Sequence, residues 1–293
     1  MERVLVGSGA CRVGTWRASG RALVLAYHNV IPEGQGDAVG ERSLHLPQAE
    51  FAAQLDRLLE THEIIPLERL HDGRAGSRPR AVITFDDAYR GAVTAGVAEL
   101  KARGIPATIF VSPGLLGTES FWWDAIAHEG VVADEHRDHA IQVLAGRDAR
   151  VREWARETGV EIHTAPGHAQ PAADPELEEA ARAPGISLGS HGWHHLALPH
   201  LSESELRAEL TRPLHWLRER FASAIPWISY PYGETSQEVE RAAGLAGYEG
   251  GLRISGGWIG NNGTNPLSVP RLNVPTGLSL NGFRLRTSGA LTR

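Results

Sequence analysis

Two short clusters in the 293-residue chain hold side chains that could do metal or hydrolytic chemistry. The first is Thr84-Phe85-Asp86-Asp87. Adjacent carboxylates repel one another unless something offsets their charge, and a divalent cation does so well. In extended backbone, neighbouring side chains point apart, so one carboxylate can ligate an ion while the other faces a substrate. The competing reading is a helix N-terminus, where aspartate is favoured as a cap and by the helix dipole. The second cluster is Ser190-His191-Gly192-Trp193-His194-His195. His191 and His195 stand four apart and share one side if the segment turns helically. Neutral imidazole is the commonest metal ligand. Two histidines and a carboxylate leave coordination positions open for water, which suits zinc and its neighbours. In a chain with 14 histidines a His-rich surface turn is the alternative, and His194 is expected to point away in a structural role.

The elements around these clusters alternate. Residues 21–27 and 80–85 are apolar runs that fit buried strands, with polar residues where each ends, and 107–111 is a third. Residues 48–61 carry Phe51, Leu55, Leu58 and Leu59 at helical spacing. Residues 63–67 suggest a short strand, and a helix is expected from Tyr89 to Arg103, closed by Gly104. Strand, helix, strand points to parallel βαβ units, whose sites lie just past the strand C-terminal ends; Asp86 and Asp87 stand there. From about 118 to 182 the alternation breaks into a mainly helical stretch, expected as an insertion in a single domain covering 1–293. It resumes with 186–190, a helix near 202–221, 227–233, a helix near 235–246 and an apolar stretch around 267–274.

Composition narrows the function classes. A formal charge of -6, a pI near 6.2 and a single lysine, Lys101, exclude a nucleic-acid surface, which needs clustered Lys and Arg. One cysteine, Cys11, excludes an internal disulfide framework and a thiolate zinc cluster, and is expected as a small buried hydrophobe. No segment approaches eighteen continuous apolar residues, so no membrane span is expected. The first residues lack the apolar core of a secretory signal, and a cytoplasmic location is the expectation.

TFDD at 84–87, SHGWHH at 190–195 and YPYGE at 230–234, in that order, resemble the polysaccharide deacetylase family, also called the NodB-homology or carbohydrate esterase 4 family. YHNV at 27–30 and FWWD at 121–124 resemble it too, so the likeness runs over about residues 21–275. The resemblance implies an α/β fold, a deformed (β/α) barrel of the NodB-homology type, and a metal-dependent hydrolase removing an N-acyl group from an amino sugar or a glycosylated lipid or small molecule. It implies Asp86 as general base, Asp87, His191 and His195 as ligands of a divalent metal (zinc first, with cobalt, nickel or manganese as alternatives), and a Tyr232 backbone N–H for the oxyanion. No organic cofactor is implied. Trp193, Tyr230, Trp122 and Trp123 could supply flat platforms for a sugar ring, though each also suits core packing.

The departures matter as much. The family's arginine two positions before the motif proline is here Ser229, and its later aspartate partner has no counterpart in residues 255–265. Losing both together is self-consistent, since a lone buried charge is expensive. Arg271 is the candidate to orient Asp86 instead, with a plain surface arginine as the alternative. The family's C-terminal general-acid histidine is also missing, since no histidine follows His215. His28 is the candidate to replace it and His200 a weaker one. These gaps leave room for a hydrolase of another C–N bond, such as a cyclic amide, and for a non-catalytic carbohydrate-binding relative.

Overall fold

The computed structural model describes residues 10–36, 40–72, 76–260 and 265–290. The first nine of the twenty-one N-terminal residues that lack a signal's apolar core, and residues 261–264 of the glycine- and asparagine-rich stretch, lie outside them. A short helix α1 (Ala10–Arg17) leads into strand β1 (Ala22–Tyr27). A small parallel pair, β2 (Asn29–Ile31) and β3 (His45–Pro47), precedes helix α2 (Gln48–Thr61). Then follow β4 (Glu63–Ile64), β5 (Arg80–Phe85), helix α3 (Val97–Arg103) and β6 (Ala107–Val111).

The segment between β6 and the next strand carries α4 (Trp122–Ala125), α5 (Asp134–Asp138), α6 (Asp148–Thr158) and α7 (Asp174–Ala181). It is the mainly helical stretch that the sequence shows between 118 and 182. The chain returns through β7 (Ile186–Ser190), α8 (Glu203–Arg220), β8 (Ala224–Ser229), α9 (Gln237–Ala246), β9 (Gly250–Ile254), β10 (Val269–Asn273) and α10 (Leu280–Thr287).

Strands β1, β5, β6, β7, β8, β9 and β10 pair in parallel, and β10 returns to β1, so seven strands close a ring with helices around it. This is the deformed (β/α) barrel expected of the sequence. Every residue of β1, β5, β6 and β7 is buried, which is why these segments read as continuous apolar runs rather than alternating ones. The register matters for the site. Leu25 lies beside Leu272 and Ala26 beside Asn273, while Tyr27 lies beside Phe85.

Two expectations shift, and one strand lies outside them. The strand read at 63–67 pairs only over Glu63 and Ile64, because Pro66 has no N–H to continue the ladder and a tight turn over Leu67–Arg69 follows. The helix before Gly104 is wound with wide π turns over Ala92–Gly96 before it tightens into α3, and Gly104 closes it in the left-handed region at φ 63°. Strand β9 carries almost no β signal because it opens on Gly250-Gly251. Those glycines are required by contact, since a Cβ at Gly250 would stand 2.3 Å from the Trp227 ring and one at Gly251 2.4 Å from the Tyr230 hydroxyl.

Among the described residues no helix is long and apolar enough to cross a membrane. Cys11 is buried, as expected of a small hydrophobe.

Candidate metal centre and active site

The C-terminal ends of the strands meet in a cavity of about 370 Å³, lined among others by His28, Asp86, Asp87, His191, His195, Tyr232 and Asn273. Six of these seven were legible as site residues in the sequence; Asn273 was not. At its floor, Asp87, His191 and His195 are all buried, and one ligand atom from each lies within 4.8 Å of the others. The two imidazole Nε2 atoms stand 3.1 Å apart, with the Asp87 Oδ1 at 3.4 Å from His191 and 3.2 Å from His195.

The backbone is bent to achieve this. Asp87 and His195 adopt φ of 70° and 56°, and Gly192 between the histidines sits at φ 74°. Non-glycine residues held there cost about 1–3 kcal/mol each and persist only where the surroundings dictate them. What dictates them is visible around residues 190–195. The buried Glu209 of α8 accepts both the Trp193 and His194 N–H groups on Oε2, at 2.8 and 2.9 Å, and bonds the His194 ring through Oε1 at 2.8 Å. His194 thus anchors the turn, as expected, and points away from the ligands. The Ser112 hydroxyl donates to the His191 carbonyl at 2.7 Å from the β6 end.

The donor set fits a divalent cation. His191 Nδ1 lies 2.7 Å from the Ser229 carbonyl, a bond that places its proton on Nδ1 and leaves the Nε2 lone pair facing Asp87 and His195. The Asp87 Oδ1 is buried without a hydrogen-bond donor among the described residues. Three lone-pair atoms facing one another in a buried site repel unless a cation lies between them. Burial alone would raise the Asp87 carboxyl, but His191 and His195 hold it well below the ordinary carboxylate range. Burial opposes charge on His191 too, yet Asp86 and Asp87 raise its pKa, while burial and His191 lower that of His195.

Asp86 points the other way. Arg271, fully buried on β10, donates to Asp86 Oδ1 at 2.8 Å and to Oδ2 at 2.6 Å, and also to the Thr84 and Ser229 hydroxyls at 3.1 and 2.7 Å. It is therefore a partner of Asp86 and not a surface arginine. Ser229, where the family pattern has arginine, is one of its acceptors. Burial raises the Asp86 pKa, but Arg271 and His191 outweigh it and bring it down to about 2.

Tyr232 sits in the turn Pro231–Gly233 at φ 60°, with its hydroxyl accepting from Trp122 Nε1 at 3.1 Å. Trp122 and Trp123 line the cavity; Tyr230 and Trp193 do not, the first donating to the Leu267 carbonyl and the second lying under the Arg212 guanidinium. His28 lines the cavity half-buried, with its pKa lowered by desolvation despite Asp87 and Asp86. His200 stays outside it, 3.8 Å from Glu234.

A buried network that the sequence did not reveal backs the ligands. Asp124 accepts from the Glu41 N–H, from His45 Nε2 and from the Tyr89 hydroxyl, at 2.9, 3.0 and 2.6 Å. Tyr89 in turn accepts from Trp123 Nε1 at 2.7 Å, and the Trp123 ring packs against that of His195 with centroids 4.7 Å apart. FWWD hinted at Trp123 and Asp124, but Tyr89 and His45 are tied to them only by the fold.

A parallel (β/α) barrel with an Asp-His-His centre and a clasped second aspartate at its strand ends defines a hydrolase-type scaffold. The comparisons carry this to a family. The family profile described as "Polysaccharide deacetylase" matches residues 73–251, more than half the chain, and the protein belongs to that family. YxkH of Bacillus subtilis (strain 168), whose name assigns it provisionally to the polysaccharide deacetylases, is 23% identical over 265 residues, covering 89% of this chain and 74% of its own. Among solved structures, BC0361, a polysaccharide deacetylase from Bacillus cereus, superposes with a TM-score of 0.64 at 17% identity, over 92% of this chain and 69% of that one. The Streptococcus pyogenes deacetylase PplD, solved with acetate, gives 0.62 at 16%, over 89% and 96%.

Proposed function

We propose that the protein is a metal-dependent carbohydrate N-deacetylase whose metal is held by Asp87, His191 and His195, zinc being the first choice for a two-imidazole, one-carboxylate set. The convergence of these three buried ligands beside the clasped Asp86 carries the reading. A divalent cation there would polarise an acyl carbonyl and lower the pKa of water. The chain's own residues do the rest. Asp86, ionised and aimed by Arg271, takes the proton of the attacking water. The Tyr232 N–H, presented by the strained turn, donates to the developing oxyanion. His28, the cavity histidine outside the ligand set, is placed to protonate the leaving amine in place of the C-terminal histidine.

The substrate is an N-acylated amino sugar, with Trp122 and Trp123 offering apolar surface to the ring. The intact base and ligand set disfavours a binding protein without turnover. A screen of the metal-loaded protein on N-acetylglucosamine oligomers, acetylated amino-sugar conjugates and small cyclic imides tests the proposal. Turnover of an N-acetyl sugar that chelator abolishes and zinc or cobalt restores is the expected result. Turnover of imides alone would overturn the sugar assignment.

A further inference from the structure

Three residues lining the cavity carry a buried polar side-chain atom with no hydrogen-bond partner among the described residues: Asp87, His195 and Asn273. The first two belong to the ligand set. Asn273 is tied to neither the ligands nor the clasped aspartate, yet its Oδ1 is buried and unpartnered. An amide oxygen left so is costly relative to one with a donor. Of the unpartnered buried side-chain atoms among the described residues, it is the one that belongs to a residue lining this cavity outside the ligand set.

The strand geometry shows what it faces. Asn273 follows Arg271 by two residues on β10, so both side chains leave the same face of the strand. Arg271 clasps Asp86, and Asn273 is the next rung of β10 on that face. Its lateral neighbour on β1 is Ala26, whose small side chain leaves room, and the next residue of β1 on that face is the cavity-lining His28. The unpartnered oxygen thus belongs to a residue of the wall shared with His28.

We infer that Asn273 is a substrate-recognition residue whose Oδ1 accepts the N–H of the scissile amide, holding the acylated nitrogen on the His28 side of the cavity. The inference rests on the N-deacetylase reading and deepens it. An acceptor placed for this N–H makes the site discriminate amides from esters, because an ester oxygen offers no donor and leaves Oδ1 unpaired.

The test compares two matched sugars, one with a 2-acetamido group and one with a 2-O-acetyl group, as substrates of the zinc-loaded protein. The ratio of their kcat/KM values is read in wild type, in Asn273→Leu, which is close in size, and in Asn273→Ala, which covers a folding failure of the first. The amide-to-ester ratio is expected to fall about 10- to 100-fold in both variants, the loss of one hydrogen bond to a buried acceptor, with zinc affinity in the wild-type range. An unchanged ratio, whether both activities persist or both fall together, overturns the assignment. A wild type that hydrolyses neither sugar overturns the N-deacetylase reading instead, so the two failures are told apart.

Discussion

Arg271 reaches across the barrel from β10 to hold both oxygens of Asp86, at 2.8 and 2.6 Å, 185 residues away in sequence. Both groups are buried, so the pair is worth most as geometry: the carboxylate is fixed bidentately and cannot turn towards Asp87. Replacing Arg271 by Met leaves a buried carboxylate uncompensated and should cost about 3–5 kcal/mol in urea unfolding. The charge-keeping Arg271→Lys offers a point charge in place of a planar fork, and it should retain more stability yet still lose turnover at least 10-fold. A lysine variant with full activity would show that charge alone suffices.

Asp87 and Asp86 are neighbours to which the proposed function gives separate tasks. Asp87→Ala and His191→Ala should abolish metal retention and hydrolysis together, because each removes one of the three proposed ligands. Asp86→Asn should keep the metal and lose turnover by about 10²–10⁴-fold, the usual share of a general base. Elemental analysis alongside amide hydrolysis separates the two outcomes. Wild-type metal content in His191→Ala would sink the ligand assignment, and wild-type turnover in Asp86→Asn would remove the base.

Much of this site could be read from the sequence because its residues sit at strand ends within short motifs. TFDD and SHGWHH announce themselves by residue type, and the apolar runs before them fix where those types must point. Arg271 was nameable but not decidable, since only the barrel register brings β10 beside β1 and the arginine under Asp86. Asn273 gave one signal, its alternation with Arg271, which is weak in a five-residue strand. Asp124, His45 and Tyr89 were invisible as a network because each contact spans 35 to 79 residues. Strand β9 was lost for a different reason: packing against Trp227 and Tyr230 demands glycines there, and glycine carries no strand propensity.

Tyr89 links that network to the candidate metal centre. Its hydroxyl donates to Asp124 and accepts from Trp123, and Trp123 rests on the ring of His195, whose Nδ1 has no partner among the described residues. On its Nδ1 side the orientation of His195 therefore rests on aromatic packing. Tyr89→Phe keeps the ring but strands two buried polar groups, and should cost about 2–4 kcal/mol. It should also weaken zinc binding, by up to about 10-fold, as support behind a ligand is lost. Thermal unfolding of the metal-free protein and a chelator competition measure the two effects. Unchanged zinc affinity in a destabilised variant would confine Tyr89 to the fold.

His62 provides a pH dependence independent of the site. It closes α2, with Nε2 3.0 Å from the Thr287 carbonyl at the end of α10, Nδ1 2.8 Å from the Thr61 hydroxyl, and its ring stacked on Trp258 at 5.9 Å. Burial lowers its pKa from the ordinary 6.5 to about 4, with Arg57 and Arg78 adding to the effect and the Thr287 carbonyl opposing it. The folded chain therefore keeps this imidazole neutral in a range where the unfolded chain protonates it. Stability from this group is complete above pH 6.5, declines as pH falls towards 4, and is level below that, since both states are then protonated. The interval amounts to about 3 kcal/mol. His168, likewise lowered by burial to about 4, adds a second such group. Urea midpoints measured from pH 7.5 to 4 should fall in wild type, and His62→Gln, which retains a donor for Thr287, should fall less steeply by about one proton. Parallel curves for the two proteins would show that His62 is charged in the folded state after all.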